Sequence, residues 1–166
     1  MNESLIILVG GFVTAALLII ITSELVNMTL PKKSKEGENN LTIYLVKGAM
    51  FLSGAILLNE LLSSSQNMVH LISTDVGSQT YIVKLLQYYG LFLGATLVTH
   101  MVLIYMAALL FATLSNGSNV FWEVTLNNVQ AVILYAAVLL MLAIGASFGL
   151  GEFLDSFLPY QTPVIY

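Results

Sequence analysis

The chain has 166 residues, a formal net charge of −4 at pH 7 and no cysteine, and it is 58% apolar and only 8% charged. Soluble domains carry about 25% charged residues, and a globule this small needs a charged exterior for its large relative surface. The composition therefore predicts a lipid-facing surface and excludes disulfides and thiol chemistry, and the lack of arginine and of net positive charge argues against nucleic acid.

Four apolar segments follow one another along the chain, at residues 5–30, 41–62, 82–114 and 129–150. Each is long enough to cross a hydrocarbon core about 30 Å thick, which takes about 20 helical residues. Because backbone groups in lipid must bond within their own segment, these runs predict helices. The expected fold class is all-α, a polytopic membrane protein with four transmembrane helices in a single domain.

Lysines between the first two segments set the expected orientation. Three of the five lysines lie in residues 31–38, and Lys47 follows closely. The positive-inside rule places this loop in the cytoplasm. Both termini, the loop at 63–80 and the tail at 151–166 are then expected outside.

Two asparagine pairs suggest an internal duplication. Asn39-Asn40 opens the second segment and Asn127-Asn128 opens the fourth, and Gly48-Ala49 then aligns with Ala136-Ala137 without a gap. Each half would be a two-helix unit, which gives a parallel repeat. The alternative is that any two apolar helices align this well.

The same residues resemble a bacterial inner-membrane family of unknown function, the YjfL-like family. Its members are built from two tandem two-helix repeats, and the second helix of each opens with Asn followed by small and apolar residues. Asn39-Asn40 and Asn127-Asn128 fit that pattern, although the outer loop and the tail are longer here. The resemblance implies a bacterial envelope protein and supplies no catalytic residues, metal or cofactor.

A charge is costly inside a predicted span. Glu60 and Lys84 lie near the outer ends of their spans, at the interface, whereas Glu24, Lys47 and His100 lie deeper. Glu24 and Lys47 lie at similar depth near the cytoplasmic side, which predicts an ion pair. The alternative is that Lys47 snorkels to the interface and Glu24 faces a wet vestibule on the inner side. His100 lies near the centre of the third span, where a histidine can relay protons or gate a path. Its alternative is structural, with a hydrogen bond from a neutral imidazole to a hydroxyl such as that of Thr14 or to a carbonyl.

Glycines four residues apart occur at Gly90 and Gly94 and again at Gly145 and Gly149. Such spacing lets helix backbones approach closely. The two pairs predict either packing of the third span against the fourth or a contact between subunits.

No motif for a nucleophile, a metal or a phosphate is present, so the sequence predicts a protein that is not an enzyme and has no cofactor. The first hypothesis is a scaffold or partner subunit, in a homo-oligomer or in a complex with another membrane protein. The alternative is a subunit of a small oligomeric ion or proton channel or transporter, with its path lined by His100, Glu24 and Lys47.

Overall fold

The computed structural model describes residues 3–29, 41–75 and 78–158, and this part of the chain is helical. Its helices are α1 (Glu3–Thr29), α2 (Leu41–Asp75), α3 (Ser78–Leu114), α4 (Val120–Thr125) and α5 (Val129–Asp155). Three apolar stretches within them are long enough to cross a membrane: Leu41–Ile72, Tyr81–Leu114 and Val129–Asp155. The chain is therefore an all-α protein with three candidate membrane spans in the described residues.

Helix α1 lies at the edge of the bundle. Its apolar stretch, Leu8–Glu24, is shorter than the other three. Thr14, Leu18 and Thr22 are buried at intervals of four residues, which is the period of one narrow helix face. The rest of the described α1 surface is largely exposed and apolar, as expected of a helix whose outer face meets lipid.

Helix α2 is the centre of the bundle, because α1, α3 and α5 all pack against it. Its most extensive contact is with α5. Thr42 at the start of α2 meets Asn127 just before α5, and Asn67 near the end of α2 meets Asp155 at the end of α5. The two helices are therefore parallel.

The loop expected from residue 63 is instead helical, since α2 continues to Asp75 and α3 begins at Ser78. The serines at 63–65 suggested a loop, but the hydroxyl of Ser65 donates to the Leu61 carbonyl 2.7 Å away and so stays within the helix. Met68, Val69 and Ile72 follow at helical spacing and are buried. Apolar packing therefore overrides the polar composition of this stretch.

The segment between α3 and α5 makes a compact turn. Asn116 and Gly117 adopt positive φ angles of 55° and 91°, a region in which glycine and asparagine are favoured. Asn119 then caps α4 by accepting from the Phe121 amide at 2.9 Å. Helix α5 begins at Val129, where the fourth span was expected to begin, and continues five residues beyond its expected end, to Asp155.

Candidate functional site

His100 is the buried ionisable group at the centre of the bundle. Only 3% of it is exposed. Its Nε2 lies 3.2 Å from the Met50 carbonyl oxygen and 3.1 Å from the Ser53 hydroxyl oxygen. Because a carbonyl only accepts, the contact with Met50 requires Nε2 to carry the proton. His100 thus ties α3 to α2.

Ser53 completes a closed triangle with the same two groups. Its hydroxyl donates to the Met50 carbonyl at 2.8 Å, which leaves the hydroxyl oxygen free to accept from the Nε2–H of His100. One carbonyl, one hydroxyl and one imidazole therefore bond to each other in the buried interior. Both partners of His100 in this triangle are groups that do not ionise near neutral pH.

Gly54 makes room for the imidazole. A Cβ added to Gly54 would lie 3.1 Å from Cε1 of His100, closer than carbon atoms normally approach. The ring therefore lies against the backbone of α2. The pair Ser53-Gly54 is the signal that sequence reasoning missed: a hydroxyl and a missing side chain, adjacent in the middle of an apolar helix.

Thr14, whose hydroxyl was expected to serve His100, bonds elsewhere, and so does the buried Thr96 one turn before His100 in the same helix. Thr96 donates to the Phe92 carbonyl of its own helix at 2.9 Å. Thr14 donates to the Gly10 carbonyl at 2.8 Å and also contacts the hydroxyl of Tyr89. Thr14 and Tyr89 thereby join α1 to α3 near one end of the bundle.

Glu24 and Lys47 are both described, and the structure records no ion pair between them. Glu24 is exposed on α1, and Lys47 is half-buried on α2. The snorkelling of Lys47 to the interface stays a prediction.

Among the described residues, the glycine pairs do not bring helices together. Gly90, Gly94, Gly145 and Gly149 are all exposed. A Cβ added to any of the four would have open space around it. These positions therefore do not supply the close contact between the third and fourth spans that their spacing suggested, and the subunit contact is the alternative that they leave.

The second asparagine pair acts at the start of α5. Asn128 caps the helix by accepting from the Ala131 amide at 3.2 Å, and its own amide donates to Glu123 at 2.7 Å. Asn127 accepts from the hydroxyl of Thr42 on α2 at 3.2 Å. The first pair, Asn39-Asn40, lies outside the described residues.

Two apolar grooves flank α1. One, of about 370 Å³, lies between α1 and the middle of α2 and includes Gly54 in its wall. The other, of about 440 Å³, lies between α1, the end of α2 and the start of α3, with Tyr89 in its wall. Within the described residues, no group of three or more acidic, His or Cys side chains is placed to hold a metal ion.

Long apolar helices place the chain in the class of helical proteins that can reside in a membrane. The buried polar groups are not all paired, since the Tyr135 hydroxyl and one carboxylate oxygen of Asp155 have no hydrogen-bond partner in the described residues. Comparison of the chain with protein-family models, with curated proteins and with solved structures gave no match.

Proposed function

We propose that the chain is a bacterial inner-membrane protein with four spans, built as two tandem two-helix repeats, and that it serves as a non-enzymatic scaffold or partner subunit. Helix α1 is proposed as the additional span because its 27 residues would extend about 40 Å at about 1.5 Å per residue. In this arrangement the Lys-rich loop at 31–38, outside the described residues, faces the cytoplasm and both termini lie outside.

The observation that carries the proposal is the state of the buried polar side chains. Thr14, Ser53, Ser65, Thr96 and Ser147 each donate to a backbone carbonyl three or four residues earlier in their own helix. Polar groups satisfied in this way have no need of water. Buried hydroxyls that pair within their own helices favour a packed structural subunit over a conducting path through the chain, although the buried Tyr135 hydroxyl has no partner among the described residues.

The outer surface supports the same proposal. Leu109, Met141 and Phe148 are 70%, 74% and 78% exposed. Large apolar side chains in such numbers suit a hydrocarbon surround and contacts with other membrane helices. We propose that the partner is either further copies of the chain or another membrane protein.

The experiment that tests the proposal compares His100→Gln with His100→Ala. Glutamine can donate a hydrogen bond to the Met50 carbonyl but cannot take up a proton near neutral pH. We expect His100→Gln to keep the native mass of the extracted assembly and most of its thermal stability. His100→Ala should lose about 2–4 kcal/mol, because it leaves a cavity and removes the donor.

Proton and ion flux into vesicles holding the same variants separates the two hypotheses. A scaffold shows no flux above that of empty vesicles, for the native protein and for His100→Gln alike. Flux through the native protein that His100→Gln abolishes, with the native mass unchanged, would instead support the channel hypothesis.

A further inference from the structure

The buried positions of α2 and α5 repeat with one spacing. Each of the seven buried residues of α5, from Val132 to Leu154, has a buried counterpart 86 positions earlier in α2, from Val46 to Met68. Ile72 and Leu158 extend the series by one more pair. A helix turns about 100° per residue, so a constant spacing of 86 keeps the buried positions of α5 in step with those of α2. The buried stripe therefore follows the same sequence pattern along the full length that the two helices share.

Direct contacts between the two helices have nearly the same separation. The Ser64 hydroxyl donates to the Gly151 carbonyl, 87 positions later, and the Asn67 amide donates to Asp155, 88 positions later. At the other end, Thr42 meets Asn127, 85 positions later. Positions that correspond in burial are therefore also at the same depth in neighbouring, parallel helices.

We propose that α2 and α5 are equivalent helices of a duplicated unit, and that they pair side by side within one chain so that each buried position of α5 matches the α2 position 86 residues earlier. The inference rests on the duplication in the proposed function. It gives that duplication a register of 86, which means that each position of α2 corresponds to the position of α5 that lies 86 residues later. The gapless alignment of the asparagine pairs has a register of 88, which sets buried Leu57 and Leu61 against exposed Gly145 and Gly149. Asn40 lies six positions before buried Val46, whereas Asn128 lies four positions before buried Val132, so the second half is two residues shorter between its asparagine pair and its buried face.

The paired positions are complementary in size. A small residue in one helix corresponds to a large residue in the other at four successive positions: Ala49 with Tyr135, Ser53 with Leu139, Leu57 with Ala143, and Leu61 with Ser147. Interiors are close-packed, so a large side chain needs a small one opposite it. The face of α2 therefore fits the second half of its own chain, whereas α2 against α2 of another copy would set Leu57 against Leu57 and leave Ala49 facing Ala49.

Cysteine crosslinking in the source membrane tests the register, and the chain contains no native cysteine. The test chain carries Leu57→Cys with Ala143→Cys and a protease site inserted at the exposed Gly117. After oxidation and cleavage, we expect the two halves to stay joined until a reductant is added. The matched control, Leu57→Cys with Gly145→Cys, has the register of 88 and should crosslink several-fold less.

Equal crosslinking of the two cysteine pairs would overturn the register, and a product of twice the chain mass would overturn the pairing within one chain. Both outcomes are read without extraction, so they are independent of whether the chain has a partner. The flux experiment can therefore refute the scaffold proposal while the crosslinking supports the pairing of α2 with α5. Crosslinking can equally refute the pairing while the flux experiment supports the scaffold.

A size exchange gives a second measurement on the full chain. Leu57→Ala and Ala143→Leu should each lower the unfolding midpoint, and the double variant should recover at least half of the summed loss. The control replaces Ala143→Leu with Ala107→Leu, an equally buried alanine on α3, and should show no recovery. Equal behaviour of the two double variants would refute the pairing of Leu57 with Ala143.

Discussion

At the scale of single residues, the site depends on a side chain that is absent. His100 can lie against α2 because Gly54 leaves its ring 3.1 Å from where a Cβ would stand. The burial of His100 and its structural alternative were predictable from its place in an apolar run. Its partners were not, because any hydroxyl or carbonyl at that depth would have met the same requirement.

A comparison of two alanine substitutions tests the role of Gly54. Gly48 lies in the same helix and has open space beyond its Cα, so Gly48→Ala should gain about 0.5–1 kcal/mol from helix propensity. The free energy of unfolding of Gly54→Ala should be lower than that of Gly48→Ala by about 2 kcal/mol, because the added methyl group displaces the imidazole and breaks its two hydrogen bonds. Thermal unfolding in detergent measures both; equal midpoints would mean that the ring is free to shift.

At the scale of helices, the apolar segments of the sequence correspond to helices, but their ends do not coincide with the predicted ends. Helix α2 runs to Asp75 rather than to residue 62. Mean hydropathy is taken over a window of residues, so the serines near residue 64 lower it and end the predicted span. The helix continues past them because its buried face continues to pack. The sequence does contain that face, because Leu61, Met68 and Ile72 recur at helical spacing, and all three are buried.

Truncation of one side chain tests whether the extension of α2 is packed. Met68 is fully buried and Gln66 is exposed on the same turn. We expect Met68→Ala to lower the free energy of unfolding by about 2–5 kcal/mol, the usual range for a buried methionine. Gln66→Ala should change it by less than about 0.5 kcal/mol. A loss of similar size in both variants, or in neither, would argue against a packed helix here.

At the scale of the whole molecule, the bundle is held by few polar links and a large apolar surface. Sequence reasoning could anticipate the membrane class from composition alone. It could not anticipate that α2 would be central, since the order of helices in space depends on which faces match. The proposed pairing of small with large residues between α2 and α5 is a match of two faces. It can be recognised only when the register between the two helices is known.

The exposed glycines give a prediction for assembly. Replacing Gly145 and Gly149 with leucine should leave the fold of a single chain intact, because neither position has a neighbour to displace. If copies meet through this face, the native mass of the extracted protein should fall to that of one chain, since leucine prevents close approach of backbones. The control replaces exposed Ile133 and Leu134 with alanine and should keep the native mass. An unchanged native mass in the glycine variant would remove this face from the assembly.

The length of α2 and α3 has a consequence for the membrane itself. Their apolar stretches contain 32 and 34 residues, or about 50 Å of helix. Tilts of membrane helices reach about 40°, which shortens 50 Å to about 38 Å, still more than a hydrocarbon core of about 30 Å. Tilting alone cannot bring these helices within a hydrocarbon core, so in a membrane of this thickness about 8 Å of each helix would lie in the headgroup layers, at one end or divided between the two.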